Sequence, residues 1–302
     1  MTWFVPLDIG ITVGLIFSFA VVAFGLSFRL LNFPDLTVEG SIPLGASVFA
    51  ILLKSGAPFP LAVLAALLAG GLAGALTAII HVRFRLNKFL AGIIVIAISY
   101  SLCLRIMGAS NIGLLQLTSI FDPVQGFERA VSEYFQLGKI LLLSLLLLLC
   151  VGVLFFGLST LKGIRLRTAG SNPEFARSLG INVPTNIIIG LALTNALAAF
   201  SGVLLATYQG FTDVNMGAGT LLLALAALTI GERLLSERRL SFPSFVLAAA
   251  VIGSLVYQVV VAYAVRFGLA STDLKLVTAV LVLIVVAFRV SQDGELLSET
   301  PK

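Results

Sequence analysis

The sequence predicts an all-α polytopic membrane protein, with about nine membrane segments in two inverted halves and two short broken or re-entrant helices. Three observations carry this reading. Of the 302 residues, 59% are hydrophobic and 11% charged, against roughly 25% charged in a soluble domain. The mean hydropathy is +1.11. The apolar runs are long and unbroken, as in LLLSLLLLLCVGVLFFGL over 141–158, whereas a β-barrel would show short alternating segments.

A helical span needs about 20 apolar residues. Full-length spans are expected over 8–28, 60–80, 89–107, 139–161, 186–207, 243–265 and 272–288. Residues 1–6 lack a basic stretch, and no small-residue cleavage site follows the first run, so that run is expected to stay in the membrane. Two further apolar segments are shorter. Segment 41–53 has 13 residues and segment 217–230 has 14. At 1.5 Å per residue they reach about 20 and 21 Å, less than the roughly 30 Å hydrocarbon core.

Lysine and arginine set the orientation. With the N-terminus outside and all nine segments crossing, 13 of the 19 basic residues fall inside and six outside, as the positive-inside rule requires. Loop 162–185 and the C-terminus are then cytoplasmic. The net charge of +5 reflects these loops and does not point to nucleic acid.

The two short segments are related. Phe33-Pro-Asp35-Leu-Thr-Val-Glu-Gly40 resembles Phe211-Thr-Asp213-Val-Asn-Met-Gly-Ala218, 178 positions later. Five crossings separate them, so the copies have opposite orientations, Asp35 towards the inside and Asp213 towards the outside. Inverted repeats that each carry a short interrupted segment mark a translocation path. The halves are expected at about 1–161 and 186–302, within one transmembrane domain covering 1–302.

No hydrolytic or redox motif is present. The chain has no P-loop pattern and no zinc pattern. Cys103 and Cys150 fall inside spans and read as small apolar residues. His81, the sole histidine, lies at the inner end of a span and reads as interfacial. Gly10–Gly14 and Gly70–Gly74 have the spacing that allows helices to approach closely; packing within one subunit is the preferred reading. No catalytic residue, metal site or cofactor is expected.

Ionisable residues within a membrane are costly and mark functional sites by default. Asp35, Glu39 and Asp213, with Asn215 beside it, are therefore candidates for a translocation path or gate. They serve either as caps on broken-helix ends or as direct solute contacts. Asn195, Ser99 and Tyr100, together with Tyr208 and Gln209, are polar positions within or at the ends of spans; path lining and interhelical hydrogen bonding both fit them. The long outer loop 108–138 carries FERAVSEYF, an amphipathic pattern suited to the membrane surface. The inner loop 231–240, GERLLSERRL, reads first as a topology determinant.

The stretch 163–185, GIRLRTAGSNPEFARSLGINVPT, is a polar, basic island. Ser171 or Asn172 suits an N-cap. Pro173 suits the first helical position and Glu174 the positive end of the dipole. Gly180 suits the C′ position. A helix of about two turns with defined ends is expected, flanked by Arg165, Arg167 and Arg177. Topology alone asks for basic residues, not for a capped helix, so this helix is expected to meet a partner.

The same stretch, AGSNPEFARSLGINV, resembles the cytoplasmic coupling loop of ABC-importer permeases of the branched-chain amino acid and ribose permease family. LNFPDLTVEGSIPLGA over 31–46 is similar to the segment after the first helix in an uncharacterised or amino-acid-type subgroup. The resemblance implies an ATPase-coupling surface at Gly170, Ser171, Asn172, Pro173, Glu174, Phe175, Ala176, Arg177, Leu179 and Gly180. It also implies an ABC ATPase, an extracytoplasmic solute-binding protein and a second permease copy or homologue as partners, in a bacterial inner membrane. A rival from another class, an ion-coupled secondary transporter with inverted repeats, would use Asp35, Glu39 and Asp213 as its ion site.

Overall fold

The computed structural model describes residues 5–115, 117, 119–122, 137–235, 241–268, 276 and 280. The expected span 272–288 apart from residues 276 and 280, the FERAVSEYF pattern, residues 236–240 of the inner loop and the C-terminus lie outside the described residues.

The described chain is helical apart from two three-residue strands. Helix α1 covers Val5–Gly25 and runs on as a π-helical turn, Leu26–Leu30. Then follow α2 (Thr37–Lys54), α3 (Phe59–Phe84), α4 (Lys88–Met107), β1 (Asn111–Gly113), α5 (Leu137–Ser159), α6 (Leu161–Ser171), α7 (Pro173–Ser178), α8 (Val183–Gln209), β2 (Phe211–Asp213), α9 (Thr220–Leu234) and α10 (Phe242–Arg266). Seven of these helices are long and apolar enough to cross a membrane.

Six of the seven correspond to the full-length spans read from the sequence. The seventh is α2, which corrects the reading of 41–53. It has 18 residues, about 27 Å of helix, because Thr37, Val38, Glu39 and Gly40 are helical too. Helix α9 does stay short, at 15 residues, or about 22 Å. It starts three residues later and ends four residues later than expected.

Helix α2 is the centre of the bundle, walled by α3, α4 and α8. It is held there by close backbone approach. A Cβ on Gly202 of α8 would stand 2.1 Å from the Ile42 carbonyl oxygen of α2, and one on Gly74 of α3 would stand 2.0 Å from the Leu191 carbonyl of α8. Both glycine pairs singled out in the sequence serve packing within the chain. Gly70 and Gly74 seat α3 on α8, and Gly10 and Gly14 seat α1 on α10. Around this core, apolar side chains point outward, among them Leu64, Leu68 and Leu72 of α3 and Leu141, Leu145 and Leu148 of α5. An apolar exterior around a tightly packed small-residue interior is what hydrocarbon solvent selects.

The two ends of the bundle are distinct. At one end β1 pairs antiparallel with β2, with Asn111 opposite Asp213 and Ile112 opposite Thr212. At the other, the Arg29 guanidinium makes a two-pronged ion pair with Glu232 of α9. Lys88 Nζ donates to the Asn32 carbonyl at 2.7 Å at this same end. His81 Nδ1 lies 2.6 Å from the Leu86 carbonyl, so it carries the proton and closes the turn after α3. This grouping places Arg29, His81 and Lys88 together at one end and residues 111–113 and 211–213 at the other.

Candidate functional site

Two regions gather the residues that the sequence singled out. The first is a buried polar joint at the start of α2. Asp35, fully buried, stands two residues before the helix and accepts the Thr37 N–H at Oδ1, 2.9 Å away. Its other oxygen accepts Asn195 Nδ2 from α8 at 2.5 Å. Asn195 Nδ2 also donates to the Leu191 carbonyl at 2.9 Å, and Asn195 Oδ1 accepts the Ser41 hydroxyl at 2.7 Å. The hydroxyls of Thr37 and Thr77 of α3 lie 2.6 Å apart. Residues from α2, α3 and α8 thus meet in one satisfied cluster, which is what a buried carboxyl requires.

One turn further on, Pro43 interrupts the hydrogen-bond ladder of α2. It has no N–H, so the Glu39 carbonyl loses its usual helix donor. The loop before α9 takes up that position. A Cβ on Gly217 would stand 2.1 Å from the Glu39 carbonyl oxygen and 2.8 Å from Pro43 Cδ. Only glycine fits, and its Cα–H faces the freed oxygen, a weak donor in place of a strong one. The Glu39 side chain completes the junction: Oε1 accepts the Gly219 N–H at 2.8 Å. Gly219 is the N-cap of α9. The two short segments that resemble each other in sequence are therefore joined, the first capping the second.

The resemblance between them also extends to local geometry. Asp213 Oδ1 accepts the Asn215 N–H at 2.7 Å, the same two-residue turn that Asp35 makes with Thr37. Asn215 itself is exposed and takes part through its backbone. Ser99 and Tyr100 diverge. Ser99 is buried, and its Cβ is 3.3 Å from where a side chain on Gly40 would start; Tyr100 is exposed on the outside of α4. Sequence reading missed Thr37, Thr77, Ser41, Gly217 and Gly219. Pro43 was the available signal: a proline inside an apolar run marks a backbone carbonyl that needs another partner.

The second region is the polar island. It forms two helices where one was expected: Gly163–Ser171 belongs to α6, capped by Thr160, whose Oγ1 accepts the Gly163 N–H at 3.3 Å. The shorter α7 follows the sequence reading closely. Of the two N-cap candidates, Asn172 is used, its Oδ1 accepting the Phe175 N–H at 3.0 Å. Pro173 opens the helix and Glu174 stands in its first turn. Gly180 has φ +73°. Its N–H donates to the Arg177 carbonyl at 3.0 Å, and the Ile181 N–H reaches the Ala176 carbonyl at 2.9 Å. These two bonds are the six-to-one and five-to-two pair of a Schellman ending.

Ala176 alone of residues 171–180 is buried, packed with Ala169 and Val183. Phe175 and Leu179, apolar, stand exposed beside Glu174 and Arg177. Behind α7, Gly170 of α6 presses on the chain after α1: a Cβ there would meet the Leu30 carbonyl oxygen and Leu31 Cα at 2.5 Å. Leu31 is buried and touches Gly190 of α8. Four residues later comes Asp35.

Among the described residues no group of three or more His, Cys, Asp or Glu is placed to hold a metal. The chain is a polytopic helical bundle with a buried polar joint at the start of α2 and a short helix capped at both ends. The chain belongs to the branched-chain amino acid transport system / permease component family, whose model matches residues 7–287. That is a transport family and not a family of enzymes. The chain is 36% identical over 272 residues to the tyrosine transport system permease protein of Clostridioides difficile strain R20291, covering 90% of this chain and 87% of that one. It is 30% identical over 262 residues to the uncharacterized protein RP368 of Rickettsia prowazekii, covering 86% and 89%. It is 26% identical over 200 residues to the autoinducer 2 import system permease protein LsrD of Escherichia coli K12, covering 65% and 59%. No solved structure matches the chain significantly.

Proposed function

We propose that the chain is the transmembrane subunit of an ABC importer. It carries a small, mostly neutral or zwitterionic solute inward by alternating access, driven by a separate ATPase. The observation that carries this reading is α7. A six-residue helix capped at both ends, with nine of residues 171–180 exposed, is built to keep its shape while its side chains meet another protein. Phe175 and Leu179 supply apolar contact and Glu174 and Arg177 supply charge.

A route inward supports the coupling role. Movement of α7 and α6 is transmitted through Gly170 to Leu30 and Leu31, then to the Asp35–Asn195 joint, and through Glu39 to α9. Backbone contacts transmit displacement well because they have little room to relax. The ATPase end would be cytoplasmic, with the C-terminus on the same side. The β1–β2 end would face an extracytoplasmic binding protein. A second copy or a homologue completes the path, in a bacterial inner membrane, and the two related segments belong to inverted halves. The tyrosine transport relative makes an amino acid the first solute to test.

The ion-coupled alternative needs free carboxylates. Asp35, Glu39 and Asp213 each accept a backbone N–H, a capping use that favours the importer.

The test is affinity purification of the tagged chain from native membranes. Recovery of a P-loop ATPase at about one per permease supports the reading. Recovery without an ATPase, together with solute uptake that follows an ion gradient, overturns it.

A further inference from the structure

Helix α6 begins where the apolar span α5 ends. Helix α5 has 23 residues, about 34 Å of helix, so its last turn reaches the edge of a roughly 30 Å hydrocarbon core. Only Thr160 separates the two helices, and α6 folds back on that last turn. A Cβ on Gly163 would stand 2.4 Å from Leu158 Cα and from the Gly157 carbonyl oxygen. The first turn of α6 is therefore held level with the end of the span. Its outward residues are of two kinds. Leu161 and Ile164 are apolar and exposed, 75% and 43%. Lys162 and Arg165 are exposed as well. Positions 161, 164 and 165 share one helix face, with 162 beside them. Basic residues alone would serve topology; the exposed leucine and isoleucine ask for an apolar neighbour as well. Arg167 supplies an independent observation. Its Nε is buried and has no hydrogen-bond partner, and among the described residues Lys162, Arg165 and Arg167 make no ion pair. An enclosed guanidinium N–H without an acceptor is costly.

We propose that the first two turns of α6 bind an anionic phospholipid of the leaflet at this end of the bundle. Leu161 and Ile164 enter the upper acyl region, as the apolar face of a surface-lying helix does. Lys162 and Arg165 meet the headgroup phosphate, and Arg167 Nε finds its missing acceptor in a phosphate oxygen. Arginine suits this task because its planar fork matches phosphate oxygens. The apolar pair selects a lipid over a free phosphate ion. Its level, set by Gly163 against Leu158, selects a lipid over a soluble protein. The site goes beyond the importer reading and does not depend on it.

The experiment uses the full chain, purified in detergent with whatever co-purifies, and titrates it with phosphatidylglycerol or phosphatidylcholine while native mass spectrometry counts the lipids retained. The wild-type chain should retain phosphatidylglycerol in preference to phosphatidylcholine. Lys162→Gln with Arg165→Gln should raise the phosphatidylglycerol needed for half-occupancy by about 25-fold, about fivefold for each charge lost. Arg83→Gln with Arg85→Gln, two exposed charges at the end of α3, should change it little. Excess glycerol 1-phosphate should leave the bound lipid in place. Equal retention of the two lipids by the wild-type chain overturns the site, and so does an equal loss in both pairs of variants, which would mark general surface charge. Displacement by glycerol 1-phosphate would assign the residues to a soluble phosphate instead. Unchanged lipid retention with loss of a co-purified ATPase in the Lys162–Arg165 pair would assign them to a protein. Arg167→Gln should weaken phosphatidylglycerol by about fivefold as well; if that variant fails to fold, the exposed pair decides. A chain that purifies without an ATPase counts against the importer reading and leaves the lipid comparison intact.

Discussion

The joint at the start of α2 and the helix α7 solve one problem in opposite ways. Both are polar segments with broken-helix ends. At the joint every polar group finds a partner far away in sequence: Asp35 meets Asn195, Ser41 meets Asn195 and Glu39 meets Gly219, at separations of 160, 154 and 180 residues. In α7 the capping bonds come from within five residues, Asn172 to Phe175 and Ile181 to Ala176. One region spends its side chains on holding the fold together. The other settles its backbone locally and leaves its side chains available. The cross-linked region is the one buried among other helices, and the self-contained region is the one proposed to meet a partner.

The contrast is sharpest where substitutions should separate stability from coupling. The largest effect is expected beside the joint. Gly74→Val puts a side chain on the Leu191 carbonyl, with no flexible neighbour to yield. It should cost more than about 3 kcal/mol, and size-exclusion chromatography in detergent should show little folded protein. Asn195→Leu leaves Asp35 and Ser41 without their partner, at about 3 kcal/mol for buried groups left unsatisfied. Thermal melting in detergent should register it, and a variant as stable as wild type would break the claim that the joint holds three helices together.

Glu39→Ala removes one bond to the α9 cap and should cost about 1 kcal/mol, again read by melting. Glu39→Gln keeps an acceptor and should lose less. For Gly180→Val, the strain at φ +73° costs about 1 kcal/mol or more, localised to α7. Transport should fall while the protein remains inserted and the melting temperature shifts little. The smallest stability effect belongs to Phe175→Asp with Leu179→Asp. Both side chains are exposed, so stability should stay within about 0.5 kcal/mol, yet ATPase co-purification should be lost. If retained ATPase accompanied these changes, α7 would not be the docking helix.

Much of the architecture was legible because the physics is local. A run of twenty apolar residues spans a membrane whatever surrounds it, and six of the seven expected long spans fall close to where composition placed them. The caps of α7 were legible for the same reason: asparagine, proline and glycine act through their own backbone geometry. The glycine pairs were legible as contacts, though not as to which helix they meet.

The start of α2 was not legible. Thr37, Glu39 and Ser41 look like a polar break before an apolar helix, since nothing nearby in the chain could satisfy them. All three are helical, with Thr37 and Ser41 buried and Glu39 half-buried, because Thr77, Asn195 and Gly219 come to them from three other elements. Helix α6 was hidden differently. Its sequence is polar, and its packing against Leu30 and Leu31 through Gly170 supplies what composition does not.

The sequence by itself determined the membrane class, the long spans and the self-capped helix, since each depends on interactions within a few residues. The tertiary structure alone decided the length of α2, the partners of its carboxylates and the joining of the two short segments. Those depend on which distant groups arrive to replace water, and a membrane interior leaves no other source of hydrogen bonds.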